Sequence, residues 1–413
     1  MSISTPPDAV SLLNAWLALE ALQPQTFTAQ NKLLGGEQPG RERGRRIKVP
    51  PRLLVDFDLD DGVMPWEQTV GDRLFLQLEE KENIRWWVPI GFIQMKRAVD
   101  RLAHEIEPDG PERETADGVA VLAVAAFNEK GFPLETGFML SSFGWACGQA
   151  LGGGIDQLHL FVDIERDACR DLAEAMEERG ADGVRKPTGK KGFIAGMNAL
   201  LDLTCLPKDL LERPRYAIRI ISESDKEPVD IINSFLLRDL HRVREALAAG
   251  DVGAALSAYL ARRQLDNRLD VLADKALLDQ LTAPRRTPRG RWPAPKPAKL
   301  ATLQQAAVNA ATSELADGGL LSINGPPGTG KTTLLRDVLA AVIVDRAEAL
   351  AQFDDPAAAF TPIDLVAENG ARLKLHRLDA RLRGFGVVVA SSNNAAVRNF
   401  SADMPLADAV AEY

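Results

Sequence analysis

The residues best suited to chemistry lie together late in the chain: Gly325, Pro326, Pro327, Gly328, Thr329, Gly330, Lys331, Thr332 and Thr333. They follow the spacing GxxxxGK[ST], the pattern of a phosphate-binding loop. Glycines let backbone N–H groups turn inward and approach phosphates with no Cβ in the way. Lys331 is expected to place its ammonium on the β and γ phosphates, and Thr332 its hydroxyl on Mg²⁺. The helix that follows adds its partial positive charge. ATP with Mg²⁺ is the cofactor this chemistry predicts.

Two further groups flank the loop. Gln304 lies 21 residues before Gly325, within residues 300–308, and a glutamine amide offers donor and acceptor together, enough to pair with adenine. Downstream, the run Val387, Val388, Val389 and Ala390 predicts a buried strand, and it leads into Ser391, Ser392, Asn393 and Asn394. Polar residues at the C-terminal end of a parallel strand are where α/β sheets place ligand contacts.

Together these pieces resemble superfamily-one helicases, in the branch that carries L-x-x-x-Q-x-x-A-V, GPPGTGKT and S-N-x-A-V elements. The resemblance is close over residues 300–335 and 387–400 and indirect elsewhere. It implies RecA-like domains that close on ATP and step along single-stranded DNA or RNA. By that match Gln304 holds the adenine, Lys331 and Thr332 hold the phosphates and Mg²⁺, and Ser392 and Asn394 touch the strand's backbone, with Asn393 as a register alternative. Arg398 departs from the family, which more often has an acid there. A larger departure is the lack of an apolar strand ending in Asp-Glu after Lys331, which hydrolysis requires to hold Mg²⁺ and orient water.

The resemblance therefore predicts the ATP-binding part of a helicase or translocase, a P-loop, AAA-type hydrolase in its complete form. The hydrolytic acids are expected beyond Tyr413, so the 413-residue chain alone is expected to lack hydrolysis. The alternatives are a nucleotide-binding or interaction protein without hydrolysis, and another P-loop ATPase class.

The elements that must position these residues follow from periodicity. The run 320–324 predicts a strand into the loop, and Leu334, Leu335, Val338, Leu339, Val342 and Ile343 predict a helix out of it. Residues 346–383 read as an insertion before the next strand. Upstream, 8–22 predicts a helix. Strands are predicted at 53–59, 73–78, 86–94, 119–127 and 158–164, and helices at 168–178, 193–203, 229–249 and 254–281. Residues 284–299 hold five prolines and no acid, which predicts an extended basic connector. The expected plan is an accessory α/β domain of unassigned role (1–283), a basic Pro-rich linker (284–299) and a partial RecA-like ATPase domain (300–413). The fold class is thus mixed α/β followed by a partial P-loop domain on a parallel sheet.

Composition narrows the class. The chain is 46% hydrophobic and 26% charged, the balance of a globular protein, and the net charge of −9 excludes a binder that coats nucleic acid by bulk electrostatics. No apolar run approaches the ~20 residues of a membrane span, and three cysteines without CxxC spacing suit a reducing cytoplasm, so no membrane partner is expected.

Weaker signals are set aside. The acids Asp56, Asp58, Asp60 and Glu67 imitate a calcium loop, but a glycine falls one place late and Pro65 interrupts it. Alternation there predicts a half-buried strand instead. Thr188, Gly189, Lys190 and Lys191 faintly resemble a second phosphate loop and read as a basic turn. Trp86 and Trp87 read as packing, and the four histidines share no metal spacing.

Overall fold

The computed structural model describes residues 8–26, 64, 66, 84–106, 118–128, 130–134, 137–211, 219–222, 232–261, 270–271, 273–293, 299–315, 318–326, 328–366 and 370–391. Two units divide the chain, Met1–Val252 and Gly253–Tyr413. The strands expected at 53–59 and 73–78 and the acidic run 56–67 fall almost wholly outside the described residues, as does Arg398.

The first unit contains α1 (Ala9–Ala21), β1 (Ile84–Gln94), α2 (Met95–Ile106), β2 (Val119–Asn128), β3 (Met139–Leu140), α3 (Ser142–Leu151), α4 (Phe161–Ala175), β4 (Glu178–Arg179), β5 (Arg185–Lys186), α5 (Lys190–Thr204), β6 (Arg219–Ser222) and α6 (Phe235–Ala248). Its centre is β2, whose residues from Ala120 to Phe127 are all buried. A strand covered on both faces reads as a continuous apolar run, and this one does. It pairs antiparallel with β1 from Arg85↔Asn128 to Gln94↔Val119. The sheet order is β3-β2-β1-β6, with every pairing antiparallel. Phe143, Phe161, Leu172, Phe193 and Leu200 bring α3, α4 and α5 into the same core. Trp86 is fully buried, as packing predicts.

Helix boundaries follow local chemistry. The Asp8 carboxylate accepts from Ser11 N at 2.7 Å and caps α1, and this bond is the main reason its pKa lies below the usual carboxylate value. Ser234 caps α6, which starts later than the expected 229. The strand expected at 158–164 is instead a 3-10 turn, Ile155–Leu160, running into α4. The reason is periodic: Leu158, Phe161, Ala168, Cys169, Leu172 and Met176 form one buried helical stripe, which the short apolar run conceals.

In the second unit lie α7 (Ala254–Leu260), α8 (Lys275–Leu281), α9 (Thr302–Ser313), α10 (Lys331–Leu350), β7 (Phe360–Val366) and β8 (Arg372–Leu378). The expected helix 254–281 is thus two short ones. The expected parallel sheet is absent among the described residues, and this corrects the predicted fold class. Residues 320–324 and 387–390 form no strand, and apart from half-buried Leu321 their apolar side chains are exposed, with Val388 92% exposed. A parallel strand derives its ladder and its cover from neighbours on both sides. Neither segment has such a neighbour among the described residues, so apolar composition alone does not make them strands. The only sheet described in this unit is the antiparallel pair β7–β8, in register from Phe360↔Leu378 to Val366↔Arg372. It occupies the expected insertion. The architecture is mixed α/β with small antiparallel sheets, not a RecA-like domain.

The basic stretch is anchored within this unit. After a 3-10 turn at Pro284–Arg286, the chain passes beside α10. Arg291 Nε and Trp292 N both donate to Asp337 Oδ1, at 2.8 and 2.9 Å. Arg289 reaches both carboxylate oxygens of Glu348 at 3.0 Å, and Arg286 pairs with Glu314. Gly290 lies so close to α10 that a Cβ there would stand 2.3 Å from Ala340 O. Residues 294–298 lie outside the described residues. No described helix is long and apolar enough to cross a membrane.

Candidate functional site

Two turns with phosphate-loop character each open a helix. In the first, Thr188 to Lys191 lead into α5. Thr188 is buried: its Oγ1 donates to Met176 O at 2.8 Å, its N to Gly131 O at 2.9 Å, and its carbonyl accepts from Trp66 Nε1 at 2.8 Å. Glu178 Oε1 then accepts from Gly189 N at 3.1 Å and from Gly192 N. These are the amides that an anion at the start of α5 would need. The chain's own carboxylate already holds them, so this turn is a closed structural cap.

The second turn is the Gly325–Thr333 loop before α10. Two of its glycines adopt left-handed backbone, Gly328 at φ +82° and Gly330 at φ +74°, a region costly for residues with a Cβ. Gly330 occupies the cap position of α10, and no side chain caps that end among the described residues. Thr329 Oγ1 donates to Pro326 O at 2.8 Å and tightens the bend. The Lys331 ammonium folds over the loop and donates to the carbonyls of Gly325 and Pro326. Lys331 and Thr332 are both exposed, and Thr333 is half-buried with its N donating to Gly330 O at 3.0 Å. Pro327, Ser392, Asn393 and Asn394 lie outside the described residues.

Gln304 sits in the first turn of α9 and reaches the loop. Its Nε2 donates to Thr329 O at 2.7 Å, and its Oε1 accepts from Ala301 N at 2.8 Å. The second bond caps the start of α9, while the first ties that helix to the loop. Within α9, buried Asn309 donates to Leu281 O at 2.9 Å and accepts from Gln305 Nε2 at 2.7 Å, which fixes α9 to α8. The loop is therefore supported from two sides, by α9 through Gln304 and by α10 itself.

The donor set fits a phosphate chain. It offers one lysine ammonium, a Thr332 hydroxyl and a helix start that no side chain caps among the described residues. Thr332 is the group on hand for Mg²⁺; among the described residues no three His, Cys, Asp or Glu side chains gather as a metal cluster. Cys147 is fully buried, and that burial pushes its thiol pKa up to about 12.

Sequence reasoning missed two structural supports, Glu178 and Asp337. Asp337 carries a faint signal, a single acid set between the apolar positions Leu334 and Val338 of α10, 4% exposed. Glu178 carries none that local pattern could find.

No protein-family model matches this chain, and no curated protein or solved structure shows significant similarity to it. With the antiparallel sheets, this corrects the resemblance to superfamily-one helicases. The matching stretches are short, and the parallel sheet that would turn them into a motor is missing among the described residues. The expected helicase, translocase, AAA-type and hydrolase activities fall with it, because no parallel RecA-like sheet among the described residues and no family model supports them.

Proposed function

We propose that the second unit binds the phosphate chain of a nucleotide such as Mg-ATP at the Gly325–Thr333 loop, with no turnover assigned. One observation carries this reading: a loop of GxxxxGKT sequence, with two left-handed glycines, runs into a helix start that no side chain caps among the described residues. Lys331 supplies the charge for the phosphates. Its present bonds to the Gly325 and Pro326 carbonyls hold the ammonium at the loop, from where a short side-chain rotation delivers it to a ligand. Thr332 would ligate Mg²⁺, which shields the phosphates' negative charge when bound.

Calorimetric titration of the full chain with Mg-ATP tests the reading. Saturable binding is expected, and Lys331→Ala is expected to weaken it by about 100-fold, roughly 2.7 kcal/mol, the scale of charge-assisted contacts to phosphate. Because Lys331 is exposed, the thermal midpoint without ligand should hold. The absence of binding in the unmodified chain, or equal affinity in Lys331→Ala, defeats the proposal.

A further inference from the structure

We infer that the loop recognises polyphosphate irrespective of the base attached, and that Gln304 is a positioning residue for the loop. The inference rests on the phosphate-binding reading above and names its ligand class. A glutamine reads adenine by presenting its amide N–H and C=O side by side to the base edge. Here both ends of that amide are engaged with backbone, Nε2 on Thr329 O at 2.7 Å and Oε1 on Ala301 N at 2.8 Å. The amide bridges α9 and the loop.

What the bridge does follows from peptide geometry. A trans peptide holds its C=O and the next N–H on opposite sides of the chain. Fixing the Thr329 carbonyl on Gln304 therefore turns the Gly330 N–H to the far side. The same contact sets the backbone of Gly330, since a Cβ there would stand 2.4 Å from Gln304 Nε2 and φ is +74°. Gln304 thus orders the peptide immediately before Lys331, where phosphate oxygens would be met. A loop already held in its binding shape loses less conformational freedom on binding. The benefit goes to any ligand with the phosphate chain, whatever its base.

Two substitutions separate the bonds. Gln304→Ala removes both. Gln304→Glu keeps an oxygen for Ala301 N, and so the cap of α9, but sets an anion where the donor to Thr329 O had been. Full-length chain is titrated with Mg-ATP, Mg-GTP and Mg-tripolyphosphate, with thermal melts as a check on folding. The unmodified chain is expected to bind ATP and GTP within about threefold of each other and to bind tripolyphosphate as well. Both variants are expected to lose about tenfold for all three ligands, the scale of one lost hydrogen bond. Gln304→Glu is expected to melt near the unmodified chain, which places its loss in the loop and not in α9.

The inference is overturned if the unmodified chain prefers ATP to GTP by tenfold or more and Gln304→Ala abolishes that preference. Variants that spare tripolyphosphate also overturn it, as do variants with unchanged affinity for all three. If the unmodified chain binds none of the three, the phosphate-binding reading itself fails, a result distinct from the others.

Discussion

The turn before α5 and the loop before α10 begin from similar material, glycine and lysine at the start of a helix, and end in opposite states. At the first, Glu178 meets the amides of Gly189 and Gly192, and Thr188 is buried with two backbone carbonyls and the Trp66 indole N–H as partners. At the second, no side chain among the described residues caps α10, and the lysine and threonine of the motif are exposed. A helix start has a fixed demand for negative charge, and the fold meets it either internally or from outside. The first turn is closed to a ligand because its own carboxylate is already there. On the proposed reading, what separates the loop before α10 from this structural turn is whether the surrounding fold supplies the anion, and a Gly-Lys pattern alone does not decide it.

The largest expected effect comes from opening the closed turn. Glu178→Ala leaves two backbone donors without their carboxylate and is expected to cost the first unit about 2–3 kcal/mol, the scale of hydrogen bonds to a charged group. Urea unfolding followed by tryptophan fluorescence measures this. Added sulfate is expected to return part of the loss in the variant and almost none in the unmodified chain, since the vacated amides then resemble those before α10. A change below about 0.5 kcal/mol would show that the carboxylate is incidental and dissolve the contrast.

Next in size is Asp337, which supports the second loop's helix from behind. Asp337→Ala strands the Arg291 guanidinium and the Trp292 N–H that share its Oδ1. Arg291 keeps partial access to water, so the expected cost is about 2 kcal/mol, below that of a fully buried pair. Asp337→Asn, which still offers an oxygen, is expected to lose about half as much. The exposed pair Arg289–Glu348 is expected to contribute under about 1 kcal/mol, so Glu348→Gln serves as the control in the same melts.

Some of this was legible in the sequence for physical reasons. The strand β2 announces itself because it is buried on both faces, and α5 because Phe193 and Leu200 keep helical spacing. The loop's glycines were legible since left-handed backbone demands them. Segments 158–164, 320–324 and 387–390 misled because a short apolar run states a wish for burial without saying which partner grants it. Phe161 found its partners as part of a helix, whereas Val388 stays exposed. Glu178 and Asp337 were illegible for the converse reason. Each acts on residues that only folding brings near: Asp337 meets Arg291 across 46 positions of chain. Gln304 was visible as a polar residue near the loop, yet its two backbone bonds depend on where α9 ends up.

One glycine substitution in each turn gives the sharpest reading of the two. Gly192→Ala would bring a Cβ to 2.7 Å from Met176 O and 2.8 Å from Glu178 Oε1, so the closed turn has to shift. Gly328→Ala meets nothing within 4 Å, and its cost is the strain of φ +82°, about 1 kcal/mol. If space around a turn marks it as open to a ligand, the two substitutions should separate two readouts. Gly192→Ala should lower the melting temperature of the first unit more than Gly328→Ala lowers that of the second, and leave Mg-ATP titration untouched. Gly328→Ala should lower affinity for Mg-ATP and tripolyphosphate by more than its stability loss explains, because the new methyl stands where backbone and phosphate would otherwise meet. Equal effects of both substitutions on folding, with no effect of either on binding, would mean that the second loop is as structural as the first.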